Sequence, residues 1–224
     1  MKLILGGGGS GEQTALSNKL FDEIIDNSKP VLYVPLARDG DYAGCLEWVT
    51  GELAGVRKAG IDMVQSGAEL AAADLSKYAG IFIGGGNTYK LLKILKETGA
   101  FDKIKNYLAR GGVVYGGSAG SVIFGRSIDI VKYMDTNDVG LSDLSGFDMI
   151  DGASLAPHYT NGNSAETKAA TEFLKEYSKN EWIVAIPEEN SIFINDGIKV
   201  IGTKNWYMFQ NGEYKMFDPF PLTF

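Results

Sequence analysis

The sequence predicts an α/β fold, a mainly parallel sheet flanked by helices, with an added C-terminal antiparallel part. Three observations predict it. In the first half, short apolar runs ending in glycine alternate with longer stretches whose apolar residues recur every three or four positions, the βαβ pattern of a parallel sheet. Three of the strand ends open into glycine-rich turns. The last forty residues instead carry short runs separated by hairpin signals.

The strands expected for the parallel part are residues 2–6, 30–36, 60–64, 80–84 and 112–116, with helices between them. The helix over 87–97 is the clearest, because Tyr89, Leu91, Leu92 and Leu95 share one side while Lys90, Lys93, Lys96 and Glu97 do not. Over 127–144 the periodicity fades and Asp129, Asp135, Asp138 and Asp143 accumulate, which predicts an ordered loop with short strand pieces. A strand over 154–158 and a helix over 163–177 follow. The tail reads as strands at 183–186, 191–194, 198–201, 206–209 and 214–217, with Asn195-Asp196-Gly197 and Asn211-Gly212 supplying the positive φ of tight turns.

The 224 residues suit a single catalytic domain over 1–224. Lys plus Arg total 21 against 28 Asp plus Glu, a net charge of −7, so no basic stripe attracts a phosphate backbone and nucleic acid is not an expected partner. No run reaches the ~18 apolar residues of a membrane span, and Met1 opens no secretory leader, so a cytoplasmic protein with no membrane partner is expected. Cys45 is the one cysteine and falls in a helical stretch. It is expected to be a buried core thiol, unable to form an internal disulfide or a multi-thiolate metal site.

In open parallel sheets, ligands bind at the carboxyl ends of the strands. The first glycine run, Gly6 to Gly11, meets the G-x-G-x-x-G spacing only trivially, and Glu12 and Gln13 stand where a P-loop needs Lys and Ser or Thr. A tight strand-to-helix turn is the simpler reading. The second, Gly84-Gly85-Gly86-Asn87-Thr88, lets the backbone approach a ligand and turns helix N–H groups toward negative charge, which suits an oxyanion. The third, Gly116-Gly117-Ser118-Ala119-Gly120, is a strand, G-x-S-x-G and a helix start, the pattern of a nucleophile elbow that exposes Ser118. His158 is the one histidine and hence the one candidate base of that type. Its orienting carboxylate is either Asp138, between the two in the chain, or Glu188, after both; spacing does not choose. Asp135 to Gly140 begins like a calcium loop, but Val139 and Gly146 occupy ligand positions, and one histidine without spaced partners does not suit zinc. No metal and no cofactor is expected.

Four segments in order, GGGNT at 84–88, GGSAG at 116–120, PHYTN at 157–161 and IPEEN at 186–190, resemble the peptidase E (aspartyl dipeptidase) family of serine peptidases. The resemblance implies a fold related to class I glutamine amidotransferases and a Ser-His-Glu triad. Ser118 would be the nucleophile, His158 the base and Glu188 its orienter, with Gly86 and Ala119 offering oxyanion N–H groups beside Gly85 and Asn87. Asp138 matches a family aspartate required for activity. Members specific for an N-terminal aspartate carry Glu-Thr-Arg after the histidine; here the run is Glu166-Thr167-Lys168, which keeps the charge but loses the bidentate fork, so a small first residue is expected in place of strict aspartate preference.

The expected activity is a serine exopeptidase acting on small peptides, as a monomer or homodimer. Two alternatives stand beside it. One is a cyanophycinase-like hydrolase acting on an aspartate-backbone polymer, and the other a catalytically idle anion- or nucleotide-binding protein on the same scaffold.

Overall fold

The computed structural model describes residues 1–54, 59–160 and 162–222. Asn161, the last residue of the PHYTN segment, lies outside the described residues.

The parallel core consists of β1 (Lys2–Gly6), β2 (Val31–Val34), β3 (Ile61–Met63), β4 (Gly80–Ile83) and β5 (Val113–Gly117), each inside or within a residue of its expected range. Between them run α1 (Ala15–Ile24), α2 (Tyr42–Leu53), α3 (Gly67–Ala72), α4 (Thr88–Thr98) and α5 (Ala100–Ala109). The short α6 (Ala119–Val122) follows β5, and β6 (Ser154–Ala156), α7 (Ala165–Tyr177), β7 (Ile183–Ala185), β8 (Asn190–Ile194), β9 (Ile198–Gly202), β10 (Trp206–Gln210) and β11 (Glu213–Phe217) complete the order.

The main sheet has the order β3-β2-β4-β5-β1-β8-β9, and a second sheet the order β11-β10-β7-β6. The C-terminal strands therefore do not form one separate layer. The β8–β9 hairpin extends the main sheet antiparallel to β1, while β10 and β11 join β7, which itself pairs parallel with β6.

Strands of a sheet covered on both faces are apolar on both. On one face Ile4, Tyr33, Phe82 and Tyr115 pack with Phe21 of α1 and Val49 of α2. On the other, Leu3, Leu5, Ile81, Ile83 and Val114 pack with Leu91 and Leu95 of α4, Ile104 of α5 and the residues of the second sheet. The helix expected over 87–97 is α4, capped by Asn87, whose Oδ1 accepts from Lys90 N at 2.9 Å, and ended by Gly99 at φ 77°.

Residues 127–144 form a loop with one 3-10 turn at Asp129–Val131 and a single bridge between Ser127 and Ser145, without the strand pieces expected there. Hydrogen bonds to side chains and to α4 take the place of a ladder: Lys93 Nζ reaches Val139 O at 2.6 Å and Lys96 Nζ reaches Asp143 O at 3.1 Å.

Candidate active site

The carboxyl ends of β1, β4 and β5 meet at one edge of the main sheet. Ser118 directly follows β5 with φ 51° and ψ −115°, a conformation L-residues adopt only where the surroundings enforce it. Those surroundings leave no room for a side chain at Gly116 or Gly120. A Cβ on Gly116 would stand 2.2 Å from Gly120 O, and one on Gly120 would stand 2.2 Å from Ile83 O. The glycines of G-x-S-x-G therefore let strand, turn and helix close on one another, and Ser118 is held at the apex.

His158 arrives from the end of β6 at φ 58°, its N–H donating to Gly7 O at 3.0 Å. Glu188 arrives just before β8. Because β8 runs antiparallel to β1, its first residues lie at the carboxyl end of β1, where Gly7 N donates to Asn190 O at 2.9 Å. One glycine thus ties both incoming segments to the first strand.

The side chains then form a chain of contacts. Ser118 Oγ lies 2.8 Å from His158 Nε2, and His158 Nδ1 lies 2.7 Å from Glu188 Oε1. Gln13 Nε2 donates to the other oxygen, Glu188 Oε2, at 2.5 Å. Both members of the His158–Glu188 pair stay about one third exposed. Of the two carboxylates open from spacing, the one beside the histidine is Glu188. Asp138 instead accepts from its neighbour Thr136 Oγ1 at 2.7 Å, exposed on the loop that precedes β6.

The first glycine run is the floor beneath this chain. A Cβ on Gly8 would fall 2.1 Å from His158 Cε1, so the main chain passes against the imidazole itself. Gln13 and this packing were not singled out from the sequence as site features. A glycine run announces close approach but not what approaches, and a glutamine at a helix start has no distinctive spacing.

A cavity of about 440 Å³ opens at Ser118 and His158 and is lined by Gly85, Gly86 and Gly117 at that end. Its walls include Tyr33, Trp48, Phe82 and Tyr115, and its polar groups include Arg38, Asp41 and Glu52. Burial raises the phenol pKa of Tyr33, with Cys45 adding to the rise and nearby Arg38 opposing it. Cys45, expected to be a buried core thiol, is half-buried: it packs against the core on one side and lines this cavity on the other. A second cavity touches His158 from the side of Tyr133, Thr160, Glu166 and Thr167.

Ala119 is the first residue of α6, so its N–H has no intrahelical acceptor. Among the described residues neither it nor Gly86 N–H donates to a backbone carbonyl. The amide of Asn87 is engaged within the protein: besides capping α4, its Nδ2 donates to Thr136 O at 2.8 Å. Lys168 is exposed on α7 and lines neither cavity that His158 lines. Among the described residues no group of three or more His, Cys, Asp or Glu side chains is arranged to hold a metal. No helix among them is long and apolar enough to cross a membrane.

The chain has relatives among known peptidases. An uncharacterised peptidase of Pasteurella multocida is 35% identical over 129 residues, which is 57% of this chain and 61% of that protein's length. Peptidase E of Salmonella newport is 32% identical over 167 residues, covering 71% of this chain and 69% of the relative. A solved structure of a peptidase E candidate from Listeria monocytogenes EGD-e superposes with TM-score 0.69 at 27% identity, covering 90% of this chain and 98% of that one. The fold is also that of a peptidase from an acI-B1 Actinobacterium, with TM-score 0.68 at 19% identity over 97% of this chain and 94% of that one. The model of peptidase family S51 matches residues 3–201, and the chain belongs to that family.

Proposed function

We propose that this protein is a serine exopeptidase that removes the N-terminal residue from dipeptides or short peptides within a single catalytic domain. The contact chain from Ser118 Oγ through His158 to Glu188 carries the reading, at 2.8 and 2.7 Å. In a peptidase these distances permit proton transfer from the attacking hydroxyl to Nε2. His158 takes that proton as Ser118 attacks the carbonyl and returns it to the leaving amine. Water then hydrolyses the acyl-enzyme by the same exchange. Glu188, accepting from Nδ1, keeps Nε2 free as base and stabilises the imidazolium, and Gln13 holds Glu188 in that orientation. The N–H groups of Gly86 and Ala119 serve the oxyanion.

Asp138 supports the site indirectly on this reading. Its loop is pinned to the start of α4 by Asn87 and by Asp135, whose Oδ2 accepts from Thr88 N at 2.8 Å. A nucleotide-binding role for Gly6 to Gly11 is disfavoured, since that loop is spent against His158 and Glu188. A polymer-cleaving relative would share the same triad and is separated by substrate.

Hydrolysis of aminoacyl chromogenic amides, with fluorophosphonate labelling of Ser118, tests the proposal. Ser118→Ala and His158→Ala are each expected to lower kcat roughly 10⁴- to 10⁶-fold, because such residues act as a unit. Near-native turnover in either variant, or a native protein that hydrolyses only the aspartate-backbone polymer, would overturn it.

A further inference from the structure

The start of α1 is fastened to α2 by one carboxylate. Glu52, near the end of α2, is half-buried, and both of its carboxylate oxygens accept. Oε1 accepts from Gly11 N at 2.8 Å, and Oε2 accepts from Thr14 Oγ1 at 2.6 Å and from Asn18 Nδ2 at 3.3 Å. Asn18 Nδ2 also donates to the main-chain oxygen of Glu52 at 3.1 Å, so the junction holds backbone as well as side chain. Thr14 and Asn18 are buried, and hydrogen bonds to an ionised acceptor are stronger than neutral ones. Glu52 borders the cavity at Ser118, but its three donors fill three of about four acceptor sites on a carboxylate. Most of what it can hold is inside the protein.

The part of the chain so held is the turn over residues 11–14. Gln13 lies inside it, between the two residues of the turn that donate to Glu52. Its Nε2 donates to Glu188 Oε2, while its Oε1 accepts from Ser10 N at 3.4 Å. Both ends of the amide are thereby engaged, with the donor end toward Glu188. Gly9 closes on the same contact: a Cβ there would stand 2.9 Å from Gln13 Oε1 and 2.9 Å from Glu188 Cβ. A glutamine on a freely moving turn would be spread over several rotamers, and ordering it would oppose the hydrogen bond. On a turn held at Gly11 and Thr14 it presents its donor at one place.

We propose that Glu52 is a positioning residue for the hydrolysis: it acts through the turn over 11–14 and Gln13 on Glu188, and so on the orientation of His158 toward Ser118. The inference rests on the peptidase reading above and extends the contact chain from Glu188 back to α2.

The test is a double-mutant cycle read in kcat, in KM and in the rate of fluorophosphonate labelling, with an alanyl chromogenic amide as substrate. Gln13→Ala and Glu52→Ala are each expected to lower kcat roughly ten- to a hundredfold, the scale of one lost hydrogen bond to a charged group, with KM within about twofold of native. Labelling, which needs no peptide contact, should slow alongside kcat. The double variant should stay within about twofold of Gln13→Ala alone, because a residue that acts through Gln13 then has nothing to act on. Glu52→Gln keeps one of the two oxygens and should show a smaller loss that also disappears in the Gln13→Ala background; it carries the test if thermal melts show Glu52→Ala to be unfolded. Losses that multiply in the double variant overturn the inference, as does native kcat in Glu52→Ala. So does a raised KM with unchanged labelling, which would make Glu52 a substrate contact, or a lower labelling amplitude at an unchanged rate, which would make it a stabilising residue only. All of these leave the peptidase reading standing. A native protein that neither hydrolyses the amide nor takes the label ends that reading and this inference with it.

Discussion

The two neighbouring glutamates of Pro187-Glu188-Glu189-Asn190 differ in what they face. Glu188 accepts from His158 and Gln13, while Glu189 lines a separate cavity with Lys204 and Asn205. The two are the central residues of a turn closed by Asn190 N donating to Pro187 O at 3.2 Å, and not the strand residues whose alternation would have been expected to separate them. Glu188→Gln is therefore expected to slow turnover by roughly 10⁴-fold on the scale of a lost triad carboxylate, with Glu189→Gln near native. Single-turnover rates of the two variants decide it; equal effects would misplace the triad by one residue. Gly8 shows how a residue without a side chain contributes. Its place under the imidazole is legible from the sequence only as a glycine in a run, because the partner it makes room for lies 150 positions away.

At the scale of elements, the reversed direction of β8 is what completes the contact chain. Parallel strands present their carboxyl ends at the site, whereas an antiparallel neighbour of β1 presents its start, so the residues before β8 reach His158. The loop over 127–148 is fastened to α4 in a comparable way by side chains. Asp143 Oδ2 pairs with Lys96 Nζ at 2.7 Å, and Ser145 donates to its Oδ1. The Lys96 bond, followed by those of Ser145, lowers the Asp143 pKa from its ordinary 3.8 to about 2. A carboxylate with a depressed folded-state pKa stabilises above its unfolded value and loses that contribution as pH falls toward the folded one. Asp143→Asn is expected to melt slightly lower than native protein at pH 7, the effect being small because the pair is exposed. The gap should close as the pH falls from about 4 to 2. Thermal melts across that range check it, and a gap that widened toward acid would contradict the assignment.

For the molecule as a whole, the site is assembled from parts far apart in the chain, and among the described residues no group of three or more His, Cys, Asp or Glu side chains is arranged to hold a metal. Prolonged dialysis against a chelator is accordingly expected to leave peptide hydrolysis within about twofold of native, as measured by kcat/KM on a dipeptide. Loss of activity restored by zinc would return the site to metal chemistry. Lys168 is set apart from that assembly. That residue follows the helical surface of α7, whereas α2 and the loop after β2 bring Arg38, Trp48 and Glu52 to the cavity at Ser118.

Local sequence patterns are enough to specify the parallel core and the nature of the elbow. Helical and strand periodicities are local, and every strand of the parallel core but the edge strand β3 is apolar enough to be buried whichever neighbours it takes. Residues 2–6, 80–84 and 112–116 were recognisable for that reason, as was the helix that became α4. Gly116-Gly117-Ser118-Ala119-Gly120 was recognisable because the crowding at an elbow is imposed by residues within the motif and its own strand. The family resemblance pointed to Glu188, but the residues alone left Asp138 open, and the 2.7 Å contact with His158 exists only once β8 has paired with β1. Tertiary structure likewise divided the C-terminal strands between two sheets, turned Cys45 to a cavity wall and brought Arg38 and Glu52 to the same cavity. Those outcomes depend on pairing partners and on which faces helices cover, and neither is encoded in the spacing of any one segment.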